Sequence, residues 1–213
     1  RFRSNEFTDD AISGHTLLSG EREREPLARP GRIAHHQAGA HAAIGALAAL
    51  RARERTGRGQ VVELSHFEGL VGMHQHTLAM WSHGRHVLER EGNRQPGFPH
   101  PVGIYPCRDG FVQLALPSQP MRDRFLVAAG MPELVLDPRF ADDLAIARSK
   151  DDFDAAIGRW LEERDAAEIV RIVQSAGGAC GPVPPLLALL DDPQLRARRA
   201  GVLIRDPGIW ARL

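Results

Sequence analysis

Between Ala38 and Ala49 every residue except His41, Ile44 and Leu47 is alanine or glycine. Alanine at this density predicts a helix. That helix carries almost no side-chain bulk on any face, so it must lie very close to its neighbours. Ile44, Leu47 and Leu50 supply its apolar grip. Arg51, Arg53, Glu54 and Arg55 form a charged last turn, and the cations there suit the negative end of the helix dipole. Gly57 and Gly59 stop it. Val61 to Ser65 predicts a short strand, and a second helical pattern begins near His66. The stretch from His35 to Glu68 is therefore a buried helix, a glycine turn, a strand and a helix, and the rest of the chain is arranged around it.

The chain has 213 residues, of which 43% are hydrophobic. That is enough for one or two small globular units with real cores. The 27 basic residues are balanced by 27 acidic ones. Arginine and glutamate interleave throughout, which excludes a basic nucleic-acid footprint. Cys107 and Cys180 lie far apart without metal or redox spacing. Free thiols in a reducing cytoplasm are the simplest expectation. No apolar run reaches the roughly 18 residues of a membrane span, and no signal peptide is visible.

In chain order, residues 4 to 20 predict a short helix ending near Gly14, then a loop. Pro26 and Pro30 make an extended connector. From His66 to Arg90, Phe67, Leu70, Val71, Leu78 and Trp81 recur at helical spacing. His66, His74, His76, His83 and His86 are scattered along the same stretch. Without a converging Asp or Cys they read as surface or interface histidines rather than a metal site. Residues 91 to 98 are a break rich in Gly and Pro. Asp109-Gly110 predicts a hairpin turn between Ile104-Tyr105 and Phe111 to Leu114. Helices are expected over residues 119–129, over 151–161 and after the cap Asp165. Asp137 to Phe140 and Gly181-Pro182-Val183 read as turns. Pro185 to Leu190 reads as a short helix broken at Asp192-Pro193.

The segment AAIGALAALRARERTGRGQVVELSHFEG closely resembles the central motif of the class III CoA-transferases. That group also holds carnitine CoA-transferase-like enzymes and α-methylacyl-CoA racemases. GIYPCRDGFVQLAL looks like the first strands of that family's small domain. DPRF and the helical segments that run on to GPV look like its small-domain helices, and LLDDPQLRARRAGV like its return segment. The order of TGRGQ, DPRF and GPV carries the likeness, which covers most of residues 10 to 204.

The resemblance implies an α/β fold. Part of a nucleotide-fold-like large domain would occupy residues 1–90 and return at 190–213. A linker loop at 91–98 would lead to a small α+β domain at 99–189. It also implies an intertwined dimer, and a chain that is the middle-to-C-terminal segment of a longer family pattern. The implied reaction moves CoA between carboxylic acids, with acyl-CoA and a small carboxylic acid as substrates and no metal. In the family, an aspartate at the start of the small-residue helix attacks the thioester and then carries CoA. The matching position, four residues before Gly39, is His35. The family's mobile loop over the acyl-CoA matches Asn93, Arg94 and Gln95, and Arg94 suits a carboxylate or phosphate. Because His35 replaces the aspartate, two further readings stay open. One is racemase- or isomerase-like chemistry with His35 as acid/base. The other is a non-catalytic half that scaffolds an active partner in a homodimer or hetero-complex.

Overall fold

The structure is a computed structural model that describes residues 3–200. It divides into two compact units, one up to Gly103 and the other from Ile104 onward.

The first unit is helical. Helix α1 (Glu6–Ile12) starts from a capping box in which Asn5 and Thr8 satisfy each other's backbone N–H groups. Glu6 and Asp9 sit in its first turn, where the helix dipole favours negative charge. The chain leaves α1 through Gly14, at φ 90°. Helix α2 (Ile33–Thr56) is the small-residue helix, and it ends on Gly57 at φ 71°, as the sequence predicts. Helix α3 (His66–Gly72) is capped by the Ser65 hydroxyl, and α4 (Gln75–Gly84) follows. Helices α1, α2 and α3 pack on one another. Ala34 and Ala38 are the buried residues of α2.

Three expectations for this unit change. Residues 61–65 form no strand: they run extended beside α2, and no neighbouring strand among the described residues offers a hydrogen-bonding edge. A Cβ at Gly45 would come within 2.8 Å of Val62 Cγ1, so the missing side chain is what admits this segment. Ile44, Leu47 and Leu50 are exposed rather than gripping a core. His74 is not a surface residue. It is buried and stacks on His15 with ring centroids 3.8 Å apart. Its Nε2 lies 2.9 Å from the Ser13 carbonyl oxygen, while His15 Nε2 lies 3.0 Å from that of Leu70. These two bonds tie the end of α1 to α3.

The second unit holds the sheet. Strands β1 (Val102–Cys107), β2 (Gly110–Ala115) and β3 (Ala179–Pro182) lie in the order β1-β2-β3. A two-residue connection joins β1 to β2, as the Asp109-Gly110 turn predicts, and only antiparallel neighbours can be joined so tightly. The β3 strand pairs antiparallel with β2, from Val112 opposite Pro182 to Ala115 opposite Ala179. The expected turn at 181–183 is thus partly strand, and its proline is tolerated because β3 is an edge. Around the sheet lie α5 (Gln119–Ala128), α6 (Asp143–Arg148), α7 (Lys150–Glu162) and α8 (Ala166–Ser175). Val112 and Leu114 of β2 and Leu116 just beyond it meet Phe125, Phe153, Ile157, Leu161, Ile169 and Val173 in one closed core. The Asp109 carboxylate accepts the Ala166 N–H at 2.8 Å, which pins the hairpin to the start of α8. The short helix expected from Pro185 is a 3₁₀ turn (Leu186–Asp191) that ends at Asp192-Pro193 as expected, and the same pair also starts the next helix. Asp192 caps α9 (Pro193–Ala197) and proline takes its first position. The return segment expected at 190–213 is described only as far as Ala200.

Two stability predictions follow from this packing. Burial holds the His15 imidazole below its ordinary range. The unfolded chain therefore binds that proton first as pH falls, so stability falls with it. The contribution of His15 is complete above the ordinary imidazole pKa and is lost as pH drops through the lowered one. Thermal melts from about pH 7 to about pH 5 should show a falling Tm, with a shallower fall in His15→Gln. Second, a Cβ at Gly178 would lie 2.3 Å from Leu116 Cδ2 and 2.8 Å from Val173 Cγ1. Gly178→Ala should cost about 1–3 kcal/mol through overpacking, read as a shift in the denaturant midpoint.

Candidate functional site

The first turn of α2 brings titratable side chains together. His35 is the third residue of the helix, and its Nδ1 lies 2.9 Å from Glu6 Oε2. Glu6 comes from α1, and its other oxygen, Oε1, is buried without a hydrogen-bond partner. One turn further along α1, Asp9 is only 4% exposed and accepts from His66 Nδ1 at 3.3 Å. His66 is the first residue of α3. The His35 and His66 rings meet edge to face, with centroids 5.0 Å apart. The site is thus two carboxylate–imidazole pairs side by side: both carboxylates come from α1, and the imidazoles come from α2 and α3. The three-residue spacing of Glu6 and Asp9 puts both carboxylates on one face of α1.

Two clefts open at this cluster. The larger, about 940 Å³, is lined by Glu6, Asp9, Ile12, His35, His66 and Phe67. The smaller, about 370 Å³, is lined by Glu6, Asp10, Arg29, Arg32, Ile33 and His35. Glu6 and His35 belong to both. Arg29 forms an ion pair with Asp10, which holds the Asp10 carboxyl below the usual range. The N-cap of α2, Arg32, makes no side-chain capping bond, and no acidic residue occupies the first turn. The first N–H groups of a helix have no acceptor within it. At the start of α2 they stand beside His35 as donors without an acceptor among the described residues, with the positive end of the helix dipole.

The structure puts His35 at this site and the other sequence candidates elsewhere. Asn93, Arg94 and Gln95 line neither cleft. Their segment is tied down by backbone bridges of Gly92 to Gly20 and of Arg94 to Gly103. The Gln95 N–H donates to the Val102 carbonyl at 2.8 Å. His76 Nε2 lies 2.9 Å from the Gly97 carbonyl oxygen. Sequence reasoning missed Glu6, Asp9 and His66 as members of the site. The one signal for them was the acidic pair at three-residue spacing, which a solvated first turn shows equally well. Among the described residues no group of three or more His, Cys, Asp or Glu is arranged to hold a metal ion. Both thiols are free, and burial raises them, Cys180 to about 11, so they stay protonated and poorly nucleophilic. No helix among the described residues is long and apolar enough to cross a membrane.

Comparison with known proteins gives this arrangement its family. The model of CoA-transferase family III matches residues 3–212. The succinyl-CoA–D-citramalate CoA-transferase of Chloroflexus aurantiacus is 30% identical over 94% of this chain and 50% of its own length. The acetyl-CoA:oxalate CoA-transferase of Acetobacter aceti is 28% identical over 93% of this chain and 51% of its own. The beta subunit of the succinyl-CoA–L-malate CoA-transferase of Chloroflexus aurantiacus is 26% identical, over 91% of this chain and 48% of its own. The chain therefore spans about half the length of the curated relatives it matches. In fold, it superposes on the crystal structure of Rv3272 from Mycobacterium tuberculosis with a TM-score of 0.79 at 21% identity, covering 97% of this chain and 55% of that one. The sequence motif, the mixed α/β fold and these matches agree: the chain belongs to CoA-transferase family III.

Proposed function

We propose that this chain is part of an acyl-CoA-dependent enzyme that moves CoA between carboxylic acids. The observation that carries this reading is the family match across residues 3–212, joined to a cleft at the start of the small-residue helix. That is where the family resemblance puts its nucleophile. His35 stands in that position, and an imidazole cannot carry CoA as a stable thioester. The catalytic carboxylate then comes from a partner half, and this chain supplies the scaffold and a substrate-facing site. Relatives described as the alpha and beta subunits of one succinyl-CoA–L-malate CoA-transferase support such a division of labour.

The assembly is a homodimer or hetero-complex of cytoplasmic subunits, and the first unit is the portion of a larger nucleotide-fold-like domain. Exposed Ile44, Leu47 and Leu50 on α2 support it, because they form an apolar stripe that this chain leaves uncovered. Residues 91–98 join the large domain to the small one, and Asn93, Arg94 and Gln95 act there as the segment that covers the acyl-CoA.

Two measurements test this reading. Intact-mass spectrometry after incubation with succinyl-CoA should show no CoA adduct on the wild type. His35→Asp, studied in the assembled protein, should gain one that hydroxylamine removes. A CoA adduct on the wild type would show that another residue of this chain is the nucleophile. Size-exclusion chromatography with light scattering should find an assembly larger than one chain, and a stable monomer would refute the interface.

A further inference from the structure

The pair formed by Glu6 and His35 lies just where a covalent carrier would have stood. We infer that this site hydrolyses acyl-CoA thioesters, with His35 as general base towards water and Glu6 as its positioning residue. The inference rests on the acyl-CoA reading above and adds an activity to it.

The geometry supplies the parts of such a site. His35 Nδ1 lies 2.9 Å from Glu6 Oε2, an ion-pair separation. A carboxylate so close to Nδ1 favours the proton on that nitrogen and leaves a lone pair on Nε2. Nε2 has no hydrogen bond among the described residues, and the His35 side chain is 52% exposed, so water reaches it. The His66 ring, itself anchored on buried Asp9, packs edge to face on the His35 ring and restricts its rotation. The first turn of α2 adds backbone N–H donors and the positive end of a 24-residue helix dipole. Together these are a base, a group that orients the base, and donors for a developing oxyanion, beside a cleft of about 940 Å³.

The step balances without a further reactant. His35 Nε2 takes a proton from water while the water oxygen bonds to the thioester carbonyl carbon. The tetrahedral intermediate places its negative oxygen toward the N–H donors. On collapse the C–S bond breaks, and the CoA thiolate takes the proton back from His35. Acyl-CoA and water thus become a carboxylic acid and CoA. A carboxylate at position 35 would trap the acyl group, whereas an imidazole held by Glu6 directs it to water.

The test uses the purified protein with succinyl-CoA as probe and no acceptor acid. CoA release is followed with a thiol reagent, and the acid formed in ¹⁸O-labelled water is analysed by mass spectrometry. Acceptor-free release with one ¹⁸O in the succinate is expected. His35→Gln should lower kcat by about 10²-fold or more. Glu6→Gln should lower kcat with KM little changed, and Glu6→Asp should restore part of the loss, which a merely structural role would not show. Circular dichroism melts confirm that the variants fold. Release that survives His35→Gln in a folded protein overturns the proposal, and so does an acyl adduct on His35. CoA transfer to an added carboxylic acid with no acceptor-free release overturns it too, yet leaves the transferase reading standing. Neither release nor transfer, with no succinyl-CoA bound, overturns both.

Discussion

The close approach of α1 to the start of α2 is the constraint on which the candidate site depends. Ala34 and Ala38 are the buried residues of α2, and neither projects beyond a methyl group. That lack of bulk lets Glu6 reach His35 across the helix pair and brings Asp9 to His66 on α3. A separation of even a few ångströms between α1 and α2 would part the Glu6–His35 ion pair, held at 2.9 Å. The alanine-rich composition, costly in lost burial, therefore serves the polar contacts at one end of the helix.

The second unit rests on different physics. Its sheet and helices close a core of Leu, Ile, Val, Phe and Trp side chains. Polar contacts fix its edges instead of filling its centre. Asp109 holds the hairpin to α8, and the Tyr105 hydroxyl donates to Asp154 at 2.9 Å. Arg122 is almost wholly buried and pairs with Asp143 at 2.7 Å. The first unit has few large buried apolar side chains, Leu70 among them, and leaves the apolar stripe of α2 open to water. Its interior therefore buries less apolar side chain than that of the second unit.

An imidazole stands at position 35, in the first turn of α2. The N–H groups of that turn favour negative charge. Glu6 brings that charge from the neighbouring helix, with its Oε2 2.9 Å from His35 Nδ1. The charge near the helix terminus thus comes from α1, and the residue on α2 is an imidazole. A group that takes up and returns a proton suits water as the attacking species, where a carboxylate suits an acyl group held for transfer.

Much of this was legible in the sequence. Helix ends marked by Gly57 and Asp165 follow local rules, since capping involves only neighbouring residues. The Asp109-Gly110 hairpin and the apolar face of α7 were equally local. The order of TGRGQ, DPRF and GPV pointed to the family, and His35 was marked as the position where chemistry would differ. The failures were all non-local. Val61 to Ser65 has strand composition, but a strand needs a partner edge, and none lies beside it among the described residues. Gly181-Pro182 looked like a turn until β2 offered it one. The partners of His35 and His66 are residues 29 and 57 positions away along the chain, respectively. The sequence by itself determined most of the helices and put His35 in the first turn of the longest. Only the tertiary structure decided that two carboxylates of α1 would face two imidazoles, because that meeting depends on how closely three helices pack.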